Sequence, residues 1–271
     1  MTFFYAFLLG IIQGLTEFIP VSSTAHLLIG QKLLGIPSDT KTFSFMVIVQ
    51  LGTVFALILF FWRDIWMIIK AFLIGIRDKR PFDDFQSRLG WLVIIATIPA
   101  LILGYFLKDL IELMFRSPGL LAGIRLLISA VLLFFVELFG RRQRELDTAV
   151  WQDALTVGLF QVLALFPGAS RSGTTIAGGM VRGFTRTSAA RFAFLMSVPI
   201  LLAAGAYESL QVIAMTGTRA FLPYLIVGFI TSAIVGWMSV KWLLEYLSKH
   251  SLYVFAIYCA LAGISALAFL R

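Results

Sequence analysis

The sequence predicts an all-α polytopic membrane protein whose two halves form an inverted-topology repeat. First, only 13% of the 271 residues are charged while 60% are hydrophobic, and soluble domains carry roughly a quarter charged residues. Second, long apolar segments recur along the whole chain, whose mean hydropathy is +0.95. Third, one pattern of residues occurs twice, which is typical of membrane proteins built from repeats.

The membrane spans are predicted from segment length, because a hydrocarbon core about 30 Å thick needs about 20 apolar residues of helix. Two regions, 3–35 and 152–184, instead hold pairs of shorter apolar stretches broken by proline and serine. Such pairs are typical of re-entrant hairpins, which require a cavity or surrounding protein at membrane depth. Six segments qualify as spans: 43–62, 89–107, 119–139, 188–207, 221–243 and 252–270.

The two short regions resemble each other. Four residues of the first recur in the second at a constant offset of 148: Gly10, Gln13, Leu15 and Phe18 match Gly158, Gln161, Leu163 and Phe166. Residues 1–140 and 141–271 are each predicted to hold one re-entrant hairpin and three spans, and an odd number of crossings inverts the second half. Inverted repeats place their binding site at the repeat interface, so the two hairpins are expected to face each other.

The basic residues predict the orientation, because cytoplasmic segments are rich in Lys and Arg. Of the 22 Lys and Arg residues, fifteen lie in 63–88, 140–191 and 241–250, six lie on the opposite side, and Arg125 lies inside a span. The first group is predicted to be cytoplasmic and both termini outside. Within it, 65–80 mixes tryptophan, aliphatic and basic residues, which fits an interfacial helix or, as favoured here, a short surface connector.

The first hairpin carries a carboxylate within an apolar segment. Gln13 and Glu17 are four residues apart, so they share one face of a helix. A carboxylate at membrane depth is costly unless it is paired, bound to a metal or in contact with water. Glu17 is therefore interpreted as a metal ligand or base that lines a cavity, with a salt bridge to an arginine as the alternative.

The sequence PVSSTAH follows directly. Ser22 or Ser23 can cap the next helix with its side chain, which leaves the other hydroxyl beside the positive end of the helix dipole. His26, one of two histidines in the chain, lies one helical turn beyond Ser23. It is either a catalytic group or a satisfied polar group, and the sequence favours neither.

The second hairpin carries PGASRSGTT, residues 167–175. Backbone N–H groups at a helix start, with an adjacent guanidinium, form an anion site, and arginine matches phosphate oxygens bidentately. A glycine-rich packing turn is the alternative, but it would not explain a buried arginine. The stretch is therefore predicted to bind phosphate through Arg171 and the hydroxyls of Ser170, Ser172, Thr174 and Thr175.

Arg125 is a further polar residue in an apolar segment. Mid-span arginines are rare, and they are paired or face a cavity. Pairing with Glu17 and facing the polar cavity would both satisfy Arg125, and the sequence does not choose between them.

With these motifs the chain resembles the undecaprenyl-diphosphate phosphatase family, also called the bacitracin-resistance family. The resemblance spans nearly the whole chain and rests on GLTEFIPVSSTAH, on the stretch at 45–52 and on PGASRSGTT, in the family's order. It implies a phosphatase of the bacterial plasma membrane that converts undecaprenyl diphosphate to the monophosphate, recycles the cell-wall lipid carrier and confers bacitracin resistance. It also implies two re-entrant regions and an active site open to the outer, periplasmic face.

Carried over by position, the resemblance implies Ser23 as the nucleophile, Glu17 in metal binding or proton transfer, and His26 as a neighbouring base. The implied cofactor is a divalent cation, Mg²⁺ with Ca²⁺ as the alternative, held by Glu17 and Gln13 together with the phosphates. At position 13 the family has Glu or Gln, and the Gln of this chain weakens any scheme that needs two carboxylates on one metal. The implied phosphate-binding residues are Arg171, Ser170, Ser172, Thr175 and Ser22.

The expected partners are undecaprenyl diphosphate and the lipid bilayer; a homodimer is left open and no nucleic acid is expected. A transporter or flippase of a polyprenyl phosphate is the competing function, since it would share the architecture and bind the head group without cleaving it. A histidine-based lipid phosphatase is disfavoured because only His26 lies near the site. Zinc chemistry lacks ligands, and the single Cys259 adds no cysteine metal site.

Overall fold

The computed structural model describes residues 1–37, 39–107, 118–165, 170–214 and 218–269. Within these ranges the chain forms eleven α-helices, one short 3₁₀ turn at Leu146–Thr148 and no β-strand. In chain order the helices are α1 Phe3–Thr16, α2 Ser23–Leu33, α3 Thr40–Phe60, α4 Trp62–Arg77, α5 Phe85–Phe106, α6 Pro118–Phe139, α7 Trp151–Leu163, α8 Arg171–Val181, α9 Arg186–Ala214, α10 Thr218–Leu247 and α11 Tyr253–Phe269.

Five of the described helices are long and apolar enough to cross a membrane, namely α3, α5, α6, α9 and α10. The predicted all-α polytopic membrane protein is therefore confirmed. α11, in the predicted span 252–270, is also apolar, but its 17 residues lie at the short end of the range that a bilayer requires. α9 and α10 have 29 and 30 residues, longer than the predicted spans 188–207 and 221–243, because flanking residues continue each helix beyond its apolar segment.

The stretch 65–80, for which a short connector was favoured, lies mostly in the 16-residue helix α4. One side of α4 packs on α5, where the rings of Phe72 and Trp91 lie 4.9 Å apart. Another side leaves Trp62 and Trp66 more than half exposed. This division into a packed side and a side with exposed tryptophans fits an interfacial helix. The segment that joins α3 to α5 is thus mostly helical, and its place at the membrane surface stays a prediction.

Two pairs of short helices, α1 with α2 and α7 with α8, carry the two polar motifs, and each pair packs together. α1 also packs along α10, and α7 packs along α5. Glycines permit both contacts: a Cβ at Gly10 would lie 2.9 Å from the carbonyl oxygen of Gly228, and a Cβ at Gly158 would lie 2.6 Å from that of Ala96. Small residues thus let the backbones of neighbouring helices approach closely.

Buried ion pairs join neighbouring elements in the second half of the chain. Asp153, in the first turn of α7, is fully buried and accepts hydrogen bonds from Arg144 at 2.8 Å and Arg182 at 2.6 Å. Glu137 of α6 is also buried and accepts from Arg186 of α9 at 3.0 Å. Removing one partner of a buried pair is strongly destabilising, so these contacts hold α7 to the end of α8 and α6 to the start of α9.

The close approach of α7 to α5 predicts a specific loss of stability. Gly158→Ala should lower the free energy of unfolding by about 1–3 kcal/mol, because the new methyl group would overlap the backbone of α5. Gly104→Ala in α5 is the matched control: the nearest atom to its Cβ is a side-chain carbon of Leu165 at 3.7 Å, so helix propensity should raise stability by about 1 kcal/mol. Unfolding in detergent measures both, and equal effects would contradict the proposed contact.

Candidate active site

A cavity of about 230 Å³ lies where the turn between α1 and α2 meets the start of α8. Residues of α3, α6, α7 and α9 complete its wall. The structure thus brings residues from both polar motifs to one space between the helices. The polar residues that line this cavity are Glu17, Ser22, Ser23, Thr24, Gln50, Arg125, Gln161, Ser170 and Arg171.

Glu17 is the centre of the polar contacts in the cavity. It follows the last residue of α1 and is only 4% exposed. Its Oε1 accepts a hydrogen bond from Nη2 of Arg171. Its Oε2 accepts from the hydroxyl of Ser23 at 2.7 Å and from the amide of Gln13 at 2.8 Å. Glu17 is therefore paired with an arginine, as the alternative interpretation had it, and it also lines a cavity. Its role as a metal ligand or base stays a prediction.

Ser22 has an unusual backbone conformation at the start of α2. Its φ is 67° and its ψ is 88°, in the left-handed region that residues other than glycine rarely adopt. Its side chain makes no capping hydrogen bond within the described chain, and Ser23 bonds Glu17 instead. The predicted side-chain cap is therefore wrong for α2. Strained residues of this kind cluster at functional sites.

His26 lies behind the turn and not among the residues that line the cavity. Its Nδ1 is 2.9 Å from the carbonyl oxygen of Ser22, and its Nε2 is 2.7 Å from the hydroxyl of Tyr258 in α11. Because a carbonyl only accepts, Nδ1 carries the hydrogen and Nε2 accepts from the tyrosine. Both ring nitrogens are thus engaged away from Ser23.

Ser170 is the only predicted phosphate-binding hydroxyl of the second motif that lines the cavity in the described structure. Its Oγ caps α8 by accepting from the N–H of Gly173 at 3.3 Å. Its own N–H donates to Oγ of Ser129 in α6 at 3.1 Å. α6 therefore positions the start of α8, and Ser129 is a contributor that the sequence did not reveal.

The other hydroxyls of the motif are used within the protein. Thr174 and Thr175 donate to the carbonyl oxygen of Arg171 at 3.0 and 2.8 Å, which is a common bond of such residues inside helices. Ser172 lies 3.1 Å from Oγ of Ser170 and is buried. Residues 166–169, which include the Pro-Gly of the motif, lie outside the described residues.

Arg125, Gln50 and Gln161 complete the polar wall of the cavity. Of the two alternatives for Arg125, the structure supports the cavity, and Arg171 is the arginine paired with Glu17. Sequence reasoning placed Gln161 in the repeat and Gln50 in the stretch 45–52 of the family resemblance, but neither in the site. Only the fold shows that both line the cavity.

A second space of about 350 Å³, here called the apolar groove, adjoins the cavity between α2, α3 and α9. Ser23, Thr24, Gln50, Leu201 and Ala204 line both spaces. The groove is otherwise mainly apolar; its wall includes Leu27, Phe43, Met46, Val47 and Leu51. The polar cavity therefore adjoins a space suited to hydrocarbon.

The cavity offers few metal ligands. No group of three or more His, Cys, Asp or Glu side chains that could hold a metal occurs among the described residues. Glu17 is the one acidic residue in the described cavity wall, and Gln13 adjoins it. This donor set fits a hard cation that takes most of its oxygen ligands from a bound phosphate, as Mg²⁺ commonly does.

Comparison with known proteins agrees with these features. Residues 6–265 match the family described as Bacitracin resistance protein BacA. The undecaprenyl-diphosphatase of Chloroherpeton thalassium is 43% identical over all of this chain and 97% of its own length. The undecaprenyl-diphosphatase of Chlorobium phaeovibrioides is 42% identical over 97% of this chain and 95% of its own length. That of Myxococcus xanthus is 39% identical over 100% of this chain and 90% of its own length. The chain belongs to the Bacitracin resistance protein BacA family.

Proposed function

We propose that this protein is an integral membrane phosphatase that hydrolyses undecaprenyl diphosphate to undecaprenyl phosphate and phosphate. This reaction would recycle the lipid carrier of cell-wall synthesis and confer resistance to bacitracin. The names of the relatives support the substrate. The observation that carries the proposal for this chain is the contact of Ser23 and Arg171 with the same carboxylate, that of Glu17, at the end of an apolar groove.

The cavity suits the diphosphate group electrostatically. Arg125 and Arg171 line the described part of the cavity wall, in which Glu17 is the one acidic residue. Arg171 is the first residue of α8, so the cavity also lies at the positive end of that helix. Phosphoryl transfer depends mainly on positioning and on neutralising phosphate charge, and this arrangement supplies both.

Ser23 is the proposed nucleophile and Glu17 the proposed base. The hydroxyl of Ser23 already donates to Glu17, so the carboxylate can take its proton as Oγ bonds to the terminal phosphorus. The bond from that phosphorus to the bridging oxygen breaks, and undecaprenyl phosphate leaves with the bridging oxygen. Glu17 passes its proton to the departing undecaprenyl phosphate. It then takes a proton from the water that attacks the phosphoserine, and it returns this proton to Oγ of Ser23 as phosphate leaves.

Substrate binding would rearrange the contacts of Glu17. In the free protein Oε1 of Glu17 is bound to Arg171 and Oε2 accepts from Ser23. A diphosphate that takes over the guanidinium would free Oε1, while Oε2 stays bonded to the hydroxyl that must lose its proton. The contact with Ser23 favours Glu17 as the base over His26, whose ring nitrogens contact Ser22 and Tyr258.

A divalent cation is proposed to bind together with the substrate, and Mg²⁺ is the favoured ion. Glu17 and the amide oxygen of Gln13 would hold it from the protein side, beside the phosphates. The cation would supply further neutralisation of phosphate charge. With one carboxylate in the cavity, we expect little cation binding without the diphosphate.

The apolar groove is the proposed site for the first isoprene units of the lipid. Its shared wall with the cavity would let the diphosphate reach Ser23 while the tail remains among α2, α3 and α9. Burial of hydrocarbon is favourable in proportion to area, so the groove would orient the lipid with its head toward Arg171.

We also propose the inverted repeat and the orientation predicted from the sequence. Matched glycines support the repeat: Gly10 and Gly158 permit equivalent close contacts of α1 and α7, and Gly35 and Gly183, which end α2 and α8, both have positive φ, at 64° and 86°. The excess of Lys and Arg in the predicted cytoplasmic segments supports the orientation. The site would then lie in the plasma (inner) membrane and open to its outer, periplasmic face.

The reaction predicts that purified protein in detergent, without a gradient, releases phosphate from undecaprenyl diphosphate. Ser23→Ala should lower the rate by about 10³-fold or more, whereas Ser248→Ala, at an exposed position, should not change it. Lipid labelled in the terminal phosphate should label Ser23. Lipid binding without phosphate release would favour a carrier or flippase, and release without labelled Ser23 would indicate direct attack by water.

The choice of base predicts unequal effects at Glu17 and His26. Glu17→Gln should lower kcat by about 10²–10⁴-fold. His26→Gln and Tyr258→Phe should lower it by about tenfold or less, since they disturb only the support of the turn at Ser22. The pH dependence of kcat and kcat/KM is the accompanying measurement. If His26→Gln abolishes the fall of kcat at low pH, the base is His26 and not Glu17.

The cation proposal predicts an effect at position 13. Gln13→Glu places a second carboxylate next to Glu17, and the two negative charges should bind a divalent cation more tightly. The Mg²⁺ concentration for half-maximal activity should fall by about tenfold. Gln152→Glu, at an exposed position of α7, provides the control. An unchanged Mg²⁺ requirement in Gln13→Glu would remove Gln13 from the cation site.

A further inference from the structure

Gln161 is a buried polar residue that the proposed reaction has not yet used. It lies in the last turn of α7, is 2% exposed and lines the cavity beside Glu17 and Arg171. Within the described part of the chain, neither its amide nitrogen nor its amide oxygen has a hydrogen-bond partner. Buried polar groups are nearly always hydrogen-bonded in folded proteins, so this amide requires an explanation.

Comparison with the first hairpin shows why the amide has no partner in the protein. Gln13 occupies the matching position in α1 and donates to Glu17, four residues further on, at 2.8 Å. Four residues after Gln161 the chain has Leu165. The carboxylate that satisfies Gln13 is therefore replaced by an apolar side chain in the second hairpin.

The surroundings of Gln161 indicate which ligand would satisfy it. Arg171, the first residue of α8, lines the same cavity as Gln161, and a guanidinium at the start of a helix favours an anion. An amide group can donate two hydrogen bonds without adding charge. A phosphate oxygen held by Arg171 would be a strong acceptor for these donors.

We propose that Gln161 is a substrate-binding residue whose amide N–H donates to a non-bridging phosphate oxygen of the diphosphate. This inference rests on the proposed function of the cavity. It makes the binding site two-sided: α8 supplies the guanidinium, and the end of α7 supplies a neutral donor. The buried amide in the free protein then costs stability that ligand binding recovers.

Two consequences distinguish this role from a structural one. Gln161→Leu removes an unsatisfied amide while keeping side-chain volume similar, so the unfolding temperature without ligand should stay the same or rise. The same variant should lower kcat/KM for the lipid diphosphate by about 10- to 100-fold, the usual value of a hydrogen bond to a charged group. Gln161→Glu should lower kcat/KM further, because the negative charge of the new carboxylate would repel phosphate.

The decisive experiment measures binding independently of turnover. A non-hydrolysable polyprenyl methylenediphosphonate is titrated against wild type, Gln161→Leu, Gln161→Met and Gln161→Glu in detergent with Mg²⁺. Gln152→Leu, the same change at an exposed position of α7, is the control. We expect the Kd of the analogue to rise by about tenfold or more in the Leu and Met variants. It should rise further in the Glu variant and stay at the wild-type value in the control.

Several outcomes would overturn the proposal. Analogue affinity within twofold of wild type in folded Gln161→Leu would remove Gln161 from the binding site. A lower unfolding temperature, or failure of both the Leu and Met variants to fold, would show that the amide has a structural partner. Absence of phosphate release by the wild-type protein would refute the phosphatase, but binding of the analogue would still test Gln161.

Discussion

The ion pair between Glu17 and Arg171 is the contact on which the organisation of the cavity depends. It joins residues 154 positions apart in the sequence and connects the end of α1 to the first residue of α8. A carboxylate or a guanidinium alone in this setting would be costly. The two short helical pairs therefore stabilise each other's polar turn, and neither motif is satisfied without the other.

Contacts from the spanning helices hold these turns in place. Ser129 of α6 accepts a hydrogen bond from the backbone of Ser170, and Tyr258 of α11 supports His26, which in turn bonds the carbonyl of Ser22. His26 and Tyr258 thus hold the strained backbone of Ser22 in place. Groups held by supporting residues of this kind pay little reorganisation cost when a substrate binds.

Much of this arrangement could be predicted from the sequence, because apolar length and misplaced polar residues are local signals. The short helical pairs and five of the six predicted spans were found in this way. Glu17, Ser23 and Arg171 were singled out in the same way, and the structure brings them to one cavity. The contributions of Ser129 and Tyr258 depend on which helices become neighbours, and nothing in a single apolar segment records that. The hydroxyls of Ser172 and Thr175 were assigned to phosphate because the sequence does not show which way a helix turns its side chains.

The shared wall of the cavity and the apolar groove has a consequence for how the lipid is handled. Moving a polyprenyl chain into water would cost about 0.8 kcal/mol for each methylene group, far more than any head-group contact could return. Because the reactive groups lie beside an apolar wall, the polyprenyl tail can stay in the bilayer while its head group reacts. Encounter rates would then follow the mole fraction of lipid in the bilayer or micelle and not its bulk concentration.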